Sequence, residues 1–186
     1  MADNLSTTSY ALLGLLNFDS ATSSDGLTGY ELKQRADSTL RFYWVSPAMS
    51  QIYTELTRLS RVGMVEPIST KQGRRTTRRF RITPAGLERL NDWLRTSEVD
   101  FPVLKHPVAL RLLMGHLMDP AEVTELLESY VQRLVDRRAD LQEVRDGLGE
   151  VDALRFPAMV ADWGLAYYDA ESDIVAELIG RMGTAT

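Results

Sequence analysis

Hydrophobic residues recur at helical spacing from the start of the chain, where Leu5, Ala11, Leu12, Leu15 and Leu16 predict a helix over Ser6–Leu16 capped by Ser6 or Thr7. The polar run 17–25 (NFDSATSSD) reads as a loop that is long for a helix-to-helix link, either an insertion or a ligand-contacting segment. Leu27-Thr28-Gly29 leads into a second short helix from Tyr30 to Asp37 or Thr39, with Tyr30, Leu32 and Ala36 as its apolar members. Phe42 to Val45 form an aromatic extended piece. Ser46-Pro47 then opens a third helix, because serine caps and proline fits the first turn. This helix runs to Val62 and ends at Gly63. Met49, Ile52, Tyr53, Leu56 and Leu59 make its apolar stripe, while Ser50, Gln51, Thr54, Arg58 and Arg61 occupy the remaining surface.

From Met64 to Ile68 and again from Arg78 to Ile82 the period changes toward two, and the intervening STKQGRRTT is polar with one glycine. A β-hairpin is the economical reading. Phe80 and Ile82 share one face of its second strand and Arg79 and Arg81 the other, which predicts that these arginines stay solvated. Thr83-Pro84 caps a fourth helix through Leu87, Leu90, Trp93 and Leu94, ending near Ser97. Three helices, a hairpin and a further helix are the order of a winged helix-turn-helix domain.

Beyond Phe101-Pro102 the pattern becomes purely helical, over roughly Pro107–Leu117, Pro120–Leu148 and Phe156–Met182. Val123, Leu126, Leu127, Tyr130, Val131, Leu134, Val135, Leu141, Val144 and Leu148 are nearly heptad-spaced. A few helices bury such broad apolar faces poorly alone, so a second subunit is the expected cover. The expected architecture is mainly α: a winged helix-turn-helix domain with a two-stranded wing over 1–97, and a helical dimerisation domain with room for an effector over 98–186.

Composition narrows the function. The 186 residues are 44% hydrophobic and 25% charged, enough for a real core. No apolar run approaches the roughly 20 residues that span a bilayer, and the first residues lack the marks of a signal peptide, so a cytoplasmic protein is expected. The absence of cysteine excludes disulfides, thiolate metal sites and cysteine nucleophiles. A net charge of -5 argues against nucleic acid until its distribution is considered. Through Ser97 there are 13 basic against 9 acidic residues, and afterwards 8 against 17. A basic half is joined to an acidic one, which suggests two jobs.

The basic half concentrates Lys71, Arg74, Arg75, Arg78, Arg79 and Arg81 within eleven residues. Such a run is either a solvated loop or a grip on phosphates and the minor groove, and its attachment to a capped helix with a polar face favours the grip. On the third helix, Ser46, Ser50, Gln51 and Thr54 are small or amide-bearing groups near the N-terminal end, where a recognition helix meets base edges. Gln51 suits adenine, Ser50 and Thr54 several bases, and Tyr53 fits either the core stripe or a phosphate. Nucleotide-binding glycine motifs are absent, and His106 and His116 lack metal-ligand spacing, so neither an enzyme nor a cofactor or metal site is expected. Trp93, Phe101, Tyr130, Trp163 and Tyr167 supply core and dimer packing or line a pocket for a small aromatic effector; both readings stand.

The segments YALLGLL, LTGYELKQ, VSPAMSQIYTELTRLSRVGMVE and RRFRITPAGLERLNDWL together resemble the PadR family of bacterial transcriptional regulators, across roughly the first half of the chain. The second half is similar in pattern to the longer, virulence-regulator-like helical domain of that family. The resemblance implies a homodimer on a palindromic operator, usually a repressor, in some members released by a small molecule such as a phenolic acid or drug. It implies DNA contacts from Ser46, Ser50, Gln51, Tyr53 and Thr54, with Lys71, Arg74, Arg75 and Arg78 on the backbone or in the minor groove. Two other readings compete: a winged-helix module docking an acidic protein, and a small-molecule-binding helical protein without direct DNA regulation.

Overall fold

A computed structural model describes residues 5–20, 25–42, 44–72, 75–98 and 105–183. The chain divides into two compact units, Met1–Asp100 and Phe101–Thr186. The first contains α1 (Thr7–Ser20), α2 (Gly29–Thr39), a 3-10 turn over Leu40–Phe42, α3 (Met49–Arg61), strands β1 (Val65–Gln72) and β2 (Arg75–Ile82), and α4 (Pro84–Thr96). Ser6 caps α1, its hydroxyl accepting from the Ser9 N–H at 3.1 Å. The helix runs four residues further than its apolar pattern, so Asn17 to Ser20 are helical where a loop is expected. Residues 21–24 of that loop lie outside the described residues.

One core joins these elements. Leu12, Leu13, Leu32, Ala36, Ile52, Leu56 and Leu59 are fully enclosed, and Val65, Phe80 and Ile82 bring the hairpin onto them. Tyr30, read as an apolar member of α2, instead stands 60% exposed. The strands pair antiparallel with Val65 opposite Ile82 and Gln72 opposite Arg75, so pairing extends well into the stretch expected to be loop. A backbone ladder satisfies its own N–H and C=O groups whatever the side chains, which lets the polar residues 69–72 continue the strand. Leu27 adds a single antiparallel bridge to β2, its N–H donating to the Phe80 carbonyl at 2.9 Å and its carbonyl accepting from the Phe80 N–H at 2.7 Å. Thr83 caps α4 with Pro84 in the first turn.

The second unit contains α5 (Pro107–Leu113), a 3-10 turn over Gly115–Leu117, α6 (Pro120–Leu148), a 3-10 turn over Asp152–Leu154, and α7 (Arg155–Gly183). The helix expected over Pro107–Leu117 is therefore broken after Leu113. Helices α6 and α7 run antiparallel, stitched by Arg145–Asp162 at 2.6 Å and by Arg138–Asp169. On α6 the buried positions are Val123, Leu127, Leu134 and Leu141, a narrow stripe that meets Ala158, Ala161, Leu165, Tyr168 and Val175 of α7. Gly164 permits the close approach: a β-carbon there would lie 2.6 Å from Leu141 Cδ2. Among the described residues no helix is long and apolar enough to cross a membrane.

Candidate nucleic-acid interface

Helix α3 turns one face into the core through Ile52, Leu56 and Leu59 and presents Ser50, Gln51, Tyr53, Thr54, Thr57 and Arg61 outward. Its N-cap is Ala48, two residues later than expected. With no side-chain acceptor at the cap, Gln51 closes the helix start from the other side, its Oε1 accepting from the Ala48 N–H at 2.9 Å. Gln51 is thereby held with its amide nitrogen uncommitted by that bond, a donor at the exposed end of the helix. Thr54 and Thr57 each return a hydroxyl hydrogen bond to the carbonyl one turn back, Ser50 at 2.9 Å and Tyr53 at 2.8 Å. Both acceptor lone pairs of each hydroxyl are left by these bonds, and the two side chains stay exposed.

Ser46 is half-buried, and its hydroxyl donates to Asp37 Oδ1 at 2.6 Å while accepting from Lys33 Nζ at 3.3 Å. Lys33 and Asp37 also form an ion pair along α2. Hydrogen bonds from Lys33 and then Ser46 hold the Asp37 carboxyl below its ordinary range. Ser46 thus ties the end of the α2–α3 connection to α2 rather than capping α3. Arg58, assigned to the outer surface by its spacing, turns inward to Glu55 Oε2 at 3.4 Å and to the buried Ser9 hydroxyl at 3.3 Å.

Tyr53, read as either a member of the core stripe or a phosphate contact, lies outside the buried stripe of α3. It is 48% exposed, yet its ring lies over the start of α2, where a β-carbon on Gly29 would sit 2.7 Å from Tyr53 Cε1 and Cζ. The phenol is therefore positioned by a glycine on the neighbouring helix.

In the hairpin, Lys71 and Arg75 occupy facing strand ends, Lys71 opposite Thr76 and Gln72 opposite Arg75. Arg74 lies outside the described residues. Arg78 is exposed, its guanidinium carbon 5.1 Å from the Phe80 ring centroid, a stacking that orients the charge without neutralising it. Arg79 and Arg81, expected to be solvated, are instead engaged. Arg81 forks onto Glu66 at 2.7 and 2.9 Å, and Arg79 reaches Glu31 at 3.0 Å and the Gly26 carbonyl at 2.9 Å. A capping box at the start of α2, Thr28 with Glu31 three residues on, fixes that carboxylate. Partial burial would raise the Glu31 carboxyl, but Thr28 and Arg79 together outweigh it and hold it below its ordinary value. The T-x-x-E spacing was the available signal for this cluster.

The aromatic residues separate. Trp93 stacks on Tyr10 in the first unit, with centroids 4.6 Å apart. In the second unit the Tyr130 hydroxyl lies 3.0 Å from His106 Nε2 and 3.3 Å from Glu171 Oε1, and His106 Nε2 lies 2.7 Å from the same carboxylate oxygen. His106 caps α5, its Nδ1 accepting from the Ala109 N–H at 3.0 Å, so the proton of the neutral ring resides on Nε2. Burial first, and then the Glu171 carboxylate, raise the Tyr130 phenol above its ordinary value. Tyr167 meets Tyr168 edge-on and Trp163 is largely exposed. Phe101 lies outside the described residues. Among the described residues no group of His, Asp and Glu could hold a metal ion.

Comparison with known proteins agrees with this arrangement. The Bacillus subtilis PadR structure in complex with operator DNA superposes with a TM-score of 0.82 at 22% identity, over 95% of this chain and 99% of that one. The chain has the PadR fold. The PadR-like transcriptional regulator BC1756 from Bacillus cereus matches with a TM-score of 0.78 at 20% identity, over 98% of this chain and 99% of that one. The Vibrio cholerae virulence activator AphA gives 0.72 at 16% identity, over 97% and 100%. Residues 104–182 match the family model described as the C-terminal part of virulence activator alpha. A search of curated protein sequences gives no match. The resemblance to PadR regulators read from the first half of the chain is thus borne out in its fold, with α3 and the β1–β2 hairpin as the helix and wing of the PadR fold.

Proposed function

We propose that this protein is a sequence-specific DNA-binding transcriptional regulator, acting as a cytoplasmic homodimer on a palindromic operator and usually repressing. The observation that carries the reading is the exposed polar N-terminal face of α3, with Ser50, Gln51 and Thr54 on the side away from the core, on a fold that in Bacillus subtilis PadR has been solved with operator DNA. Gln51 offers an amide suited to an adenine edge, and Ser50 and Thr54 offer hydroxyls to neighbouring bases. Tyr53 flanks that face with a phenol for a phosphate, while Ser46, its hydroxyl held by Asp37, serves the face by fixing the approach to α3. Lys71, Arg74, Arg75 and Arg78 on the wing supply affinity that does not depend on sequence. A two-fold dimer sets its two α3 helices about 34 Å apart, in successive major grooves, and the bound operator excludes polymerase. Bacillus subtilis PadR has also been solved with p-coumaric acid. By analogy a small aromatic effector releases this protein, with Phe101, Tyr130, Trp163 and Tyr167 of the second unit as the ring-bearing candidates; Trp93 is instead committed to its stack on Tyr10.

The test is footprinting and mobility shift on the DNA flanking the gene. A selective complex is expected whose affinity falls steeply with salt. Replacing Arg78 by alanine should weaken binding to all duplexes about uniformly and lower the log-log salt slope by about 0.9 for each lost phosphate contact. Gln51→Ala should instead change which base is preferred at one position of each half-site. Binding that ignores both substitutions overturns the assignment.

A further inference from the structure

Six cations crowd the wing in sequence, yet two of them hold protein rather than facing outward. Arg79 is the more informative. Its guanidinium donates from Nε to the Gly26 carbonyl at 2.9 Å and to the Asp25 carbonyl at 3.2 Å, and its far nitrogen reaches both oxygens of Glu31, at 3.1 and 3.0 Å. Glu31 is itself pinned, because its Oε2 accepts from the Thr28 N–H at 2.7 Å while the Thr28 hydroxyl accepts from the Glu31 N–H at 3.1 Å. The two hydrogen bonds between Leu27 and Phe80 lie beside this cluster. Gly26 belongs to it for a backbone reason: its φ of 67° suits glycine, and a β-carbon there would meet the Phe80 carbonyl oxygen at 2.5 Å. One arginine therefore clamps the segment entering α2 onto the strand leading out of the wing.

The geometry points to Arg79 as a positioning residue of the nucleic-acid interface: through Glu31, Gly26 and Asp25 it fixes the wing relative to α2, and thereby relative to α3, without touching DNA itself. This rests on the DNA-binding reading above and refines it, by adding to the contact set of Lys71, Arg74, Arg75 and Arg78 a cation and a carboxylate that act behind it. A planar guanidinium fits the role because it serves two carbonyls and a carboxylate from one rigid fork, which an ammonium does not.

The consequence is opposite in sign to simple electrostatics. Glu31→Gln keeps an acceptor for the Thr28 N–H, since glutamine also completes a capping box. It removes one negative charge and frees Arg79. A phosphate-contacting Arg79 would then bind DNA more tightly. A positioning Arg79 predicts the reverse, a loss of selective affinity of about tenfold on the operator with little change on random duplex. Arg79→Lys separates the readings again: it retains the charge a phosphate needs but not the fork, so it should lose as much as Arg79→Ala.

The experiment measures operator and random-duplex affinity of the full chain carrying Glu31→Gln, Arg79→Lys or Arg79→Ala, alongside hydrogen exchange at the Leu27 and Phe80 amides without DNA. The expected result is weaker selective binding in all three, with faster exchange at both amides while the α1 and α3 core amides stay protected. Tighter binding by Glu31→Gln, full rescue by Arg79→Lys, or unchanged exchange at Leu27 and Phe80 overturns the proposal. Should the unaltered chain select no operator, the DNA reading fails, and the exchange result alone decides whether Arg79 and Glu31 clamp the wing.

Discussion

Tyr10 and Trp93 stack with their ring planes 9° apart and their centroids 4.6 Å apart, joining α1 to α4 across the first unit. Tyr10 is buried and Trp93 partly so, packed against the main core. Stacked aromatic pairs add about 0.5–1.5 kcal/mol beyond the area they bury. Replacing Trp93 by alanine should destabilise the first unit by about 3 kcal/mol, and Tyr10→Ala should do nearly the same, with the double variant less than additive. Urea unfolding followed by near-ultraviolet circular dichroism measures this. Additive losses would mean that the two rings act separately.

Gly29 sets where Tyr53 can lie. A methyl group at position 29 falls 2.7 Å from the Tyr53 ring, and because that ring is 48% exposed it has room to swing outward. Gly29→Ala should thus leave the fold within about 1 kcal/mol of its original stability, since alanine also favours helix. It should nevertheless weaken operator binding as much as Tyr53→Ala does, and adding it to Tyr53→Ala should change nothing further. Binding by Gly29→Ala at full strength would show that the phenol's position is not read by DNA.

How much of this was legible in the sequence depends on which force sets each feature. The core faces of α1, α2 and α3 follow from periodicity because burial is cooperative over whole turns, and Leu12, Leu32, Ile52 and Leu56 all fall where their spacing puts them. The hairpin's existence was readable, but its length was not, since strand pairing through Gln72 and Arg75 is a backbone matter. Polar side chains were the least legible. Arg58, Arg79 and Arg81 look alike as solvated cations in a linear pattern, and their partners Ser9, Glu31 and Glu66 lie 49, 48 and 15 residues away. Ser46 and Ala48 show the same limit: a serine before a proline suggests a cap, yet a carboxylate on another helix claims the hydroxyl at 2.6 Å.

Acid should loosen the wing clamp before it unfolds the chain. The Glu31 carboxyl is held below its ordinary value of 4.5 in the folded protein, so the folded state binds that proton less readily than the unfolded one. Its contribution is then present above the unfolded value and disappears as pH falls through the depressed folded value. The window lies below pH 4.5. Thermal melts of the unaltered chain and of Glu31→Gln should differ at neutral pH and converge as pH drops through that window. A gap that persists at low pH would assign the difference to something other than the carboxylate charge.

The second unit leaves apolar side chains uncovered in a way that a lone domain rarely tolerates. Leu113 and Leu117 are 77% and 75% exposed, and on α7 Phe156 and Trp163 are 71% and 76% exposed. Within the unit the α6–α7 seam is narrow, buried on α6 at Val123, Leu127, Leu134 and Leu141. Large apolar side chains exposed at both ends of the α6–α7 pair fit a surface that a partner covers. A second copy of the chain is the partner that the proposed operator symmetry requires. Sedimentation at micromolar concentration should give about twice the 20.9 kDa of one chain. Introducing Leu113→Asp with Leu117→Asp, or Trp163→Asp, should shift that mass toward one chain while leaving helix content intact. The same variants should lose far more affinity for a full palindrome than for a half-site, because each module then binds alone and the gain from linking two sites, roughly 10²–10⁴-fold, disappears. A single-chain mass for the unaltered protein would sink the dimer without touching the assignment of α3 and the wing, whereas equal losses on palindrome and half-site would show that these side chains serve the fold of one subunit rather than the pairing of two.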